Sequence, residues 1–134
     1  MPKETLPKFF SGYGRRKTAT ASVRLTPGKG GITVNSLPVE KYFAGPYSNF
    51  QFTEVFKTTN TVGKFVTTVV VTGSGKSGQA GATVLAIARA LCQFDPKLKT
   101  LLRKKGFMTR DPRARQREKA GLMGARKQKQ SPKR

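Results

Sequence analysis

Histidine and tryptophan are absent from this chain, cysteine occurs once, and only six residues are acidic. Without histidine, and with Cys92 alone, a metal site of the usual nitrogen and sulfur ligands is excluded, and no cofactor motif takes its place. The same lack leaves Ser77 or Cys92 without an ordinary base, so nucleophilic catalysis is not expected. A lone cysteine cannot form an intramolecular disulfide, which suits a reducing compartment. No run approaches about eighteen apolar residues, so no membrane-crossing helix is expected. The first residues, Met1-Pro2-Lys3-Glu4-Thr5-Leu6-Pro7, lack the apolar core of a secretory signal, and the expectation is a protein used where it is made.

What the chain has is positive charge. Its 134 residues carry 27 Lys and Arg, for a formal net charge of +21. A protein this basic repels itself when bare, and an anionic polymer relieves that repulsion by releasing condensed counterions. A membrane surface is the competing anion, disfavoured because the basic C-terminal stretch lacks the apolar face a surface-lying helix needs. From Gly106 to Arg134 there are ten Lys or Arg against two acids, and the only large apolar residues are Phe107, Met108, Leu122 and Met123. That stretch cannot bury enough surface to offset the entropy of ordering. It is expected to be a long extended basic tail, able to span on the order of 90 Å. Three parts follow: a loose lead-in over 1–11, a globular RNA-binding domain over 12–105, and the tail over 106–134.

Within the domain, Thr18 to Leu25 alternates cleanly, with Ala19, Ala21, Val23 and Leu25 on one side and Thr18, Thr20, Ser22 and Arg24 on the other, predicting a half-buried strand. Pro27 to Gly31 forms a turn, after which Ile32-Thr33-Val34 is expected to pair back as a hairpin. A brief helix is predicted over Asn35 to Phe43 with Pro38 in its first turn, and another over roughly 49–59. Phe65 to Thr72, dense in β-branched residues, predicts a central strand. Gln79 to Phe94 reads as an Ala-rich helix with a Val84, Ile87, Ala88, Leu91 stripe. Asp95 and Pro96 open a last helix, with Leu98, Leu101 and Leu102 as its face.

The most enzyme-like motif is Gly75-Lys76-Ser77 between a strand and a helix. A phosphate-binding loop needs a further glycine where Val70 stands, so nucleotide hydrolysis is not expected. The alternative use of Lys76 and the glycine-rich turn is contact with an RNA phosphate. Tyr13-Gly14-Arg15-Arg16-Lys17, with Gly12 just ahead, sets three cations beside two glycines, where the backbone can approach a phosphate closely and Tyr13 can stack. In the tail, Arg110, Arg113, Arg115 and Arg117 recur every two or three residues, and Arg126, Lys127 and Lys129 continue the series; arginine suits bidentate phosphate contact. A sequence-neutral nucleic-acid-binding protein would share all these features.

Three stretches together resemble one family, the bacterial and organellar type of the ninth protein of the small ribosomal subunit. They are Gly14-Arg15-Arg16-Lys17-Thr18-Ala19 leading into Val23, then Ser77-Gly78-Gln79-Ala80-Gly81-Ala82 followed by Arg89-Ala90-Leu91, and Thr109-Arg110-Asp111-Pro112-Arg113 with the closing Lys133-Arg134. The resemblance implies an α+β two-layer sandwich like the second domain of ribosomal protein S-five, its mixed sheet backed by helices. It further implies a structural protein bound to 16S-type rRNA in the head of the small subunit, among neighbouring head proteins. Lys133 and Arg134 would then reach peptidyl-site tRNA. No small-molecule substrate is expected, and the setting would be a bacterial cytoplasm or an organelle.

Overall fold

The computed structural model describes residues 9–44 and 46–133; the first eight residues of the expected lead-in and Arg134 lie outside it. The strands are β1 (Phe10–Arg16), β2 (Ala19–Pro27), β3 (Ile32–Val34), β4 (Leu37–Pro38) and β5 (Phe65–Thr72). The helices are α1 (Val39–Tyr42), α2 (Pro46–Thr58), α3 (Lys76–Phe94) and α4 (Leu98–Lys104). One mixed sheet has the order β1-β2-β5-β3-β4, with β3 and β5 parallel and the other pairs antiparallel. The result is an α+β fold with helices packed on one face of the sheet.

The alternation in β2 places Ala19, Ala21, Val23 and Leu25 in the core. In β5, Phe65, Thr67, Val69 and Val71 join them, while Thr68, Val70 and Thr72 face away and are exposed. Each fully buried Val, Leu or Ile contributes about 1.5–3 kcal/mol, so this layer dominates the stability. α3 lies across β1 and β2 and touches α2 and α4 on its other sides. It is accordingly buried well beyond the single predicted stripe, with Ala82, Thr83, Ala86 and Ala90 enclosed as fully as Ile87 and Leu91. A helix covered on several sides is apolar nearly all round. Thr83 satisfies its hydroxyl by donating to the Gln79 carbonyl at 2.8 Å.

Several expectations need correction. β1 begins at Phe10, inside the stretch expected to be loose. Phe10 packs edge-on to Phe65 and Phe94, at centroid distances of 6.3 and 5.2 Å, and this fixes the start of the strand. β1 then carries Gly12 and Gly14, poor strand formers in isolation, because its inner face meets the α3 backbone. A Cβ on Gly12 would lie 2.8 Å from the Ala90 nitrogen.

β3 does not form a hairpin with β2. β5 pairs with β2 along eight positions, Thr20↔Thr72 through Pro27↔Phe65, and so occupies that edge. The three-residue β3 runs parallel to β5 on its far side. Asn35 and Ser36 are not helical either. Their φ values of 48° and 67° make the two-residue turn of a tight hairpin linking β3 to β4. The Asn35 side chain then imitates a strand, donating to the Val71 carbonyl at 3.1 Å and accepting from the Val71 amide at 3.0 Å. Only Val39–Tyr42 is helical, with Pro38 just ahead of it. In α4, Leu102 is buried and Leu101 is exposed, so the face is Leu98 and Leu102. Asp95 accepts the Lys97 amide at 3.0 Å in the turn leading to that helix.

Candidate nucleic-acid interface

Strand alternation divides the Arg15-Arg16-Lys17 cluster. Gly12, Gly14 and Arg16 point toward α3, whereas Tyr13 and Arg15 point to the uncovered face of the sheet and are exposed. Lys17 occupies the β1–β2 turn at φ 54° and is exposed. Arg16 lies along Gly81 of α3, where an added Cβ would stand 2.8 Å from its Nη1. Its Nε is buried and unpaired by hydrogen bonds, with the nearest acid, Asp111, at 3.6 Å.

Asp111 holds the root of the C-terminal segment. Its carboxylate accepts from Arg113 Nη2 at 2.8 Å and Nε at 3.0 Å, and from the Arg113 backbone amide at 3.0 Å. These hydrogen bonds chiefly, with the charges of Arg113 and Arg16, hold the carboxyl well below the usual carboxylate range. Phe107 and Met108, just upstream, pack against the hydrophobic core. Between them a cleft of about 400 Å³ is lined by Arg15, Arg16, Lys105 and Arg113, with Glu54 and Asp111. The cations outnumber the acids here, so the cleft favours an anion.

Lys76 is the first residue of α3, preceded by Gly75 with no side-chain cap. Its ammonium sits 3.4 Å from the centre of the Tyr42 ring, a cation–π contact. Tyr42 donates to Gln79 Oε1 at 2.8 Å, and Gln79 Nε2 donates to the Gly73 carbonyl at 3.0 Å. The glycine turn is thereby braced, and exposed Lys76 remains open to solvent on its other side.

Arg110, Arg115, Arg117, Arg126, Lys127, Lys129 and Lys133 are all exposed. Thr109 to Lys119 contains no helix or strand; further on, a bridge joins Leu122 to Gln128, and Arg126 Nε donates to Gln116 Oε1 at 2.9 Å. Arg134, the other residue expected at tRNA, lies outside the described residues.

Sequence reasoning did not select Arg24 or Val70, although both stand on the uncovered sheet face. Arg24 places its guanidinium 5.2 Å from the centre of the Phe9 ring. The alternation of β2 already pointed Arg24 outward; β5, apolar on both sides, gave no such signal for Val70. Arg89 on α3 was also outside the selection, and it donates to the Tyr13 carbonyl at 2.7 Å. Gln93 Oε1 accepts the Ser11 amide at 2.9 Å, so side chains of α3 cover part of the β1 edge that another strand could otherwise extend.

An acid-poor α+β domain with cations on several faces, followed by a cationic segment largely without regular structure, has the build of a nucleic-acid-binding protein. The family described as ribosomal protein S9/S16 matches residues 14–134, and the chain belongs to it. Among its relatives, a protein of Thermotoga petrophila named small ribosomal subunit protein uS9 is 47% identical over 128 residues, covering 93% of this chain and 96% of the relative.

Proposed function

We propose that this chain is a structural constituent of the small ribosomal subunit, without a reaction of its own. Its domain, residues 12–105, binds 16S-type rRNA in the subunit head beside neighbouring head proteins, with a fold of the kind found in the second domain of ribosomal protein S-five. Its tail, residues 106–134, runs as an extended basic arm through RNA to peptidyl-site tRNA, where Lys133 and Arg134 neutralise phosphates. The rRNA contacts are Arg15, Lys17 and Lys76 on the domain, Arg16 through the cleft it lines, and Arg110, Arg113, Arg115, Arg117, Arg126, Lys127 and Lys129 along the arm. The observation that carries this reading is the extent of the family match, which runs from Gly14 through the whole cationic segment to the last residue.

Sedimentation tests the assignment directly. The tagged chain should travel with small subunits through a sucrose gradient, in bacterial cytoplasm or an organelle. A protein spread over duplex DNA and missing from that fraction would replace the proposal with sequence-neutral binding. Deleting Lys133 and Arg134 should weaken peptidyl-site tRNA binding and lower its salt slope by about 1.5 units, since each phosphate contact contributes roughly 0.7–0.9. An unchanged slope would remove the tRNA contact from the proposal.

A further inference from the structure

The helices pack on one face of the sheet; on the other, Phe9 lies against Arg24 and the Gly28–Gly30 turn against Val66, while Tyr13 and Val70 stay open. Val70, in the middle of the central strand, is 55% exposed, and Tyr13 is 63% exposed. Strand register aligns them: Tyr13 stands opposite Ser22, and Ser22 opposite Val70, so the three cross the sheet in one row. The next row sets Ser11, Arg24 and Thr68 side by side, and the row beyond Tyr13 sets Arg15, Thr20 and Thr72. With Phe9, 52% exposed beside Arg24, Tyr13 and Val70 make three large apolar or aromatic side chains open on one face, and such a grouping, unlike a single exposed residue, marks a surface that another molecule covers.

The chemistry of the face selects the molecule. None of the five strands contains an Asp or Glu, so every formal charge on this face is positive. Arg15 and Arg24 flank the Tyr13–Val70 row, on the order of 14 Å apart by strand spacing. Ser and Thr hydroxyls fill the positions between them. A flat aromatic ring, flanking guanidiniums and hydroxyls that can meet ribose oxygens match an unpaired RNA strand, whose bases stack on exposed aromatics of a sheet. An apolar protein partner would leave Arg15 and Arg24 facing it unpaired, and desolvating them would oppose its binding.

We infer that the uncovered sheet face is a second RNA-docking surface, meeting the cleft at the arm's root through Arg15, on which an unpaired rRNA nucleotide stacks against Tyr13 while Arg15 and Arg24 hold flanking phosphates. The inference rests on the rRNA-binding reading and specifies where on the domain that binding takes place.

The test uses the full chain with a benzoylphenylalanine photocrosslinker in place of Tyr13, assembled into small subunits. A crosslink to an unpaired rRNA nucleotide supports the surface; a crosslink to a protein, or none, overturns it. In parallel, Tyr13→Ala and Arg24→Glu should each weaken binding to the rRNA of the subunit head roughly tenfold, in line with the loss of one stacked base or one phosphate contact. Tyr13→Phe should retain affinity, because the ring is kept. Both residues are exposed, so unchanged unfolding midpoints show that the variants remain folded. If the wild-type chain binds rRNA and these variants bind equally well, the surface is wrong and the ribosomal reading stands. If the wild-type chain binds no rRNA, the underlying reading fails.

Discussion

Gly14→Ala is the sharpest test of how this fold is assembled. Gly12 and Gly14 let β1 lie directly against the backbone of α3, beside Ala82, Ala86 and Ala90. A Cβ on Gly14 would stand 2.7 Å from the Ala86 nitrogen and nearer still to the Ala82 carbonyl oxygen. Both obstacles are backbone, so no rotamer change relieves them. The helix must retreat by roughly 1 Å to restore ordinary carbon contact, and a gap of that size forfeits a quarter to a half of the dispersion energy of the neighbouring contacts. Overpacking usually costs about 1–3 kcal/mol, and a clash with rigid backbone belongs at the upper end. Against this, Gly→Ala stabilises by about 0.4–1 kcal/mol through the unfolded chain wherever the new methyl fits. The expected net loss is about 2 kcal/mol, a large part of a domain's total stability. Urea denaturation of the full chain should show the midpoint falling by roughly 1 M with little change in slope. Gly124→Ala is the control, because its Cβ would meet only the Lys127 Cβ at an ordinary 3.7 Å. If Gly14→Ala behaves like Gly124→Ala, the account of β1 packing on α3 through glycine is wrong.

Asn35→Ala should cost about 2–3 kcal/mol, since it strips both partners from the Val71 backbone and leaves an alanine at φ 48°; faster hydrogen exchange at the Val71 amide checks it. Asp111→Asn should free the root of the arm, read as faster proteolysis between Phe107 and Arg113. Because the folded state depresses the Asp111 pKa, its contribution is present above the ordinary carboxylate value and lost as pH falls through the folded one. The difference between wild type and Asp111→Asn should therefore be flat from about pH 5 upward, shrink below about pH 4, and fade in high salt; a difference that grew on acidification would refute the pairing.

What the sequence made legible follows its periodicity. Period-two alternation placed Ala19, Ala21, Val23 and Leu25 inside, and the β-branched run of Phe65 to Thr72 identified the central strand. β1 was illegible because its two glycines weaken a strand in isolation, and their reason lies about seventy residues away on α3. The partner of β3 was illegible for a related cause. A three-residue strand has no pattern that specifies its neighbour, and the long β5 had already taken the edge of β2. At the candidate interface, residue type identified the cations, but only geometry separated Arg15, which faces outward, from Arg16, which lies along Gly81 toward Asp111.

That separation bears on how an arm of this charge can be aimed. Ordering a residue costs roughly 1–2 kcal/mol of backbone entropy, and a cationic segment has little of its own to offset it. The head meets that cost only at the root. Phe107 and Met108 pack on the core, the Phe107 amide donates to the Leu102 carbonyl at 3.1 Å, and Asp111 binds Arg113. Asp111 is also the only acid ion-paired among the described residues, and it stands before the long run of exposed cations from Arg115 onward. Glu118, the other acid of the arm, forms no ion pair among the described residues and so leaves its neighbour Arg117 open to the phosphates it is proposed to meet. Asp111, at the root, fixes the direction in which the segment leaves the domain and leaves most of the remaining cations available, so in the proposed function the head supplies the aim and RNA the affinity.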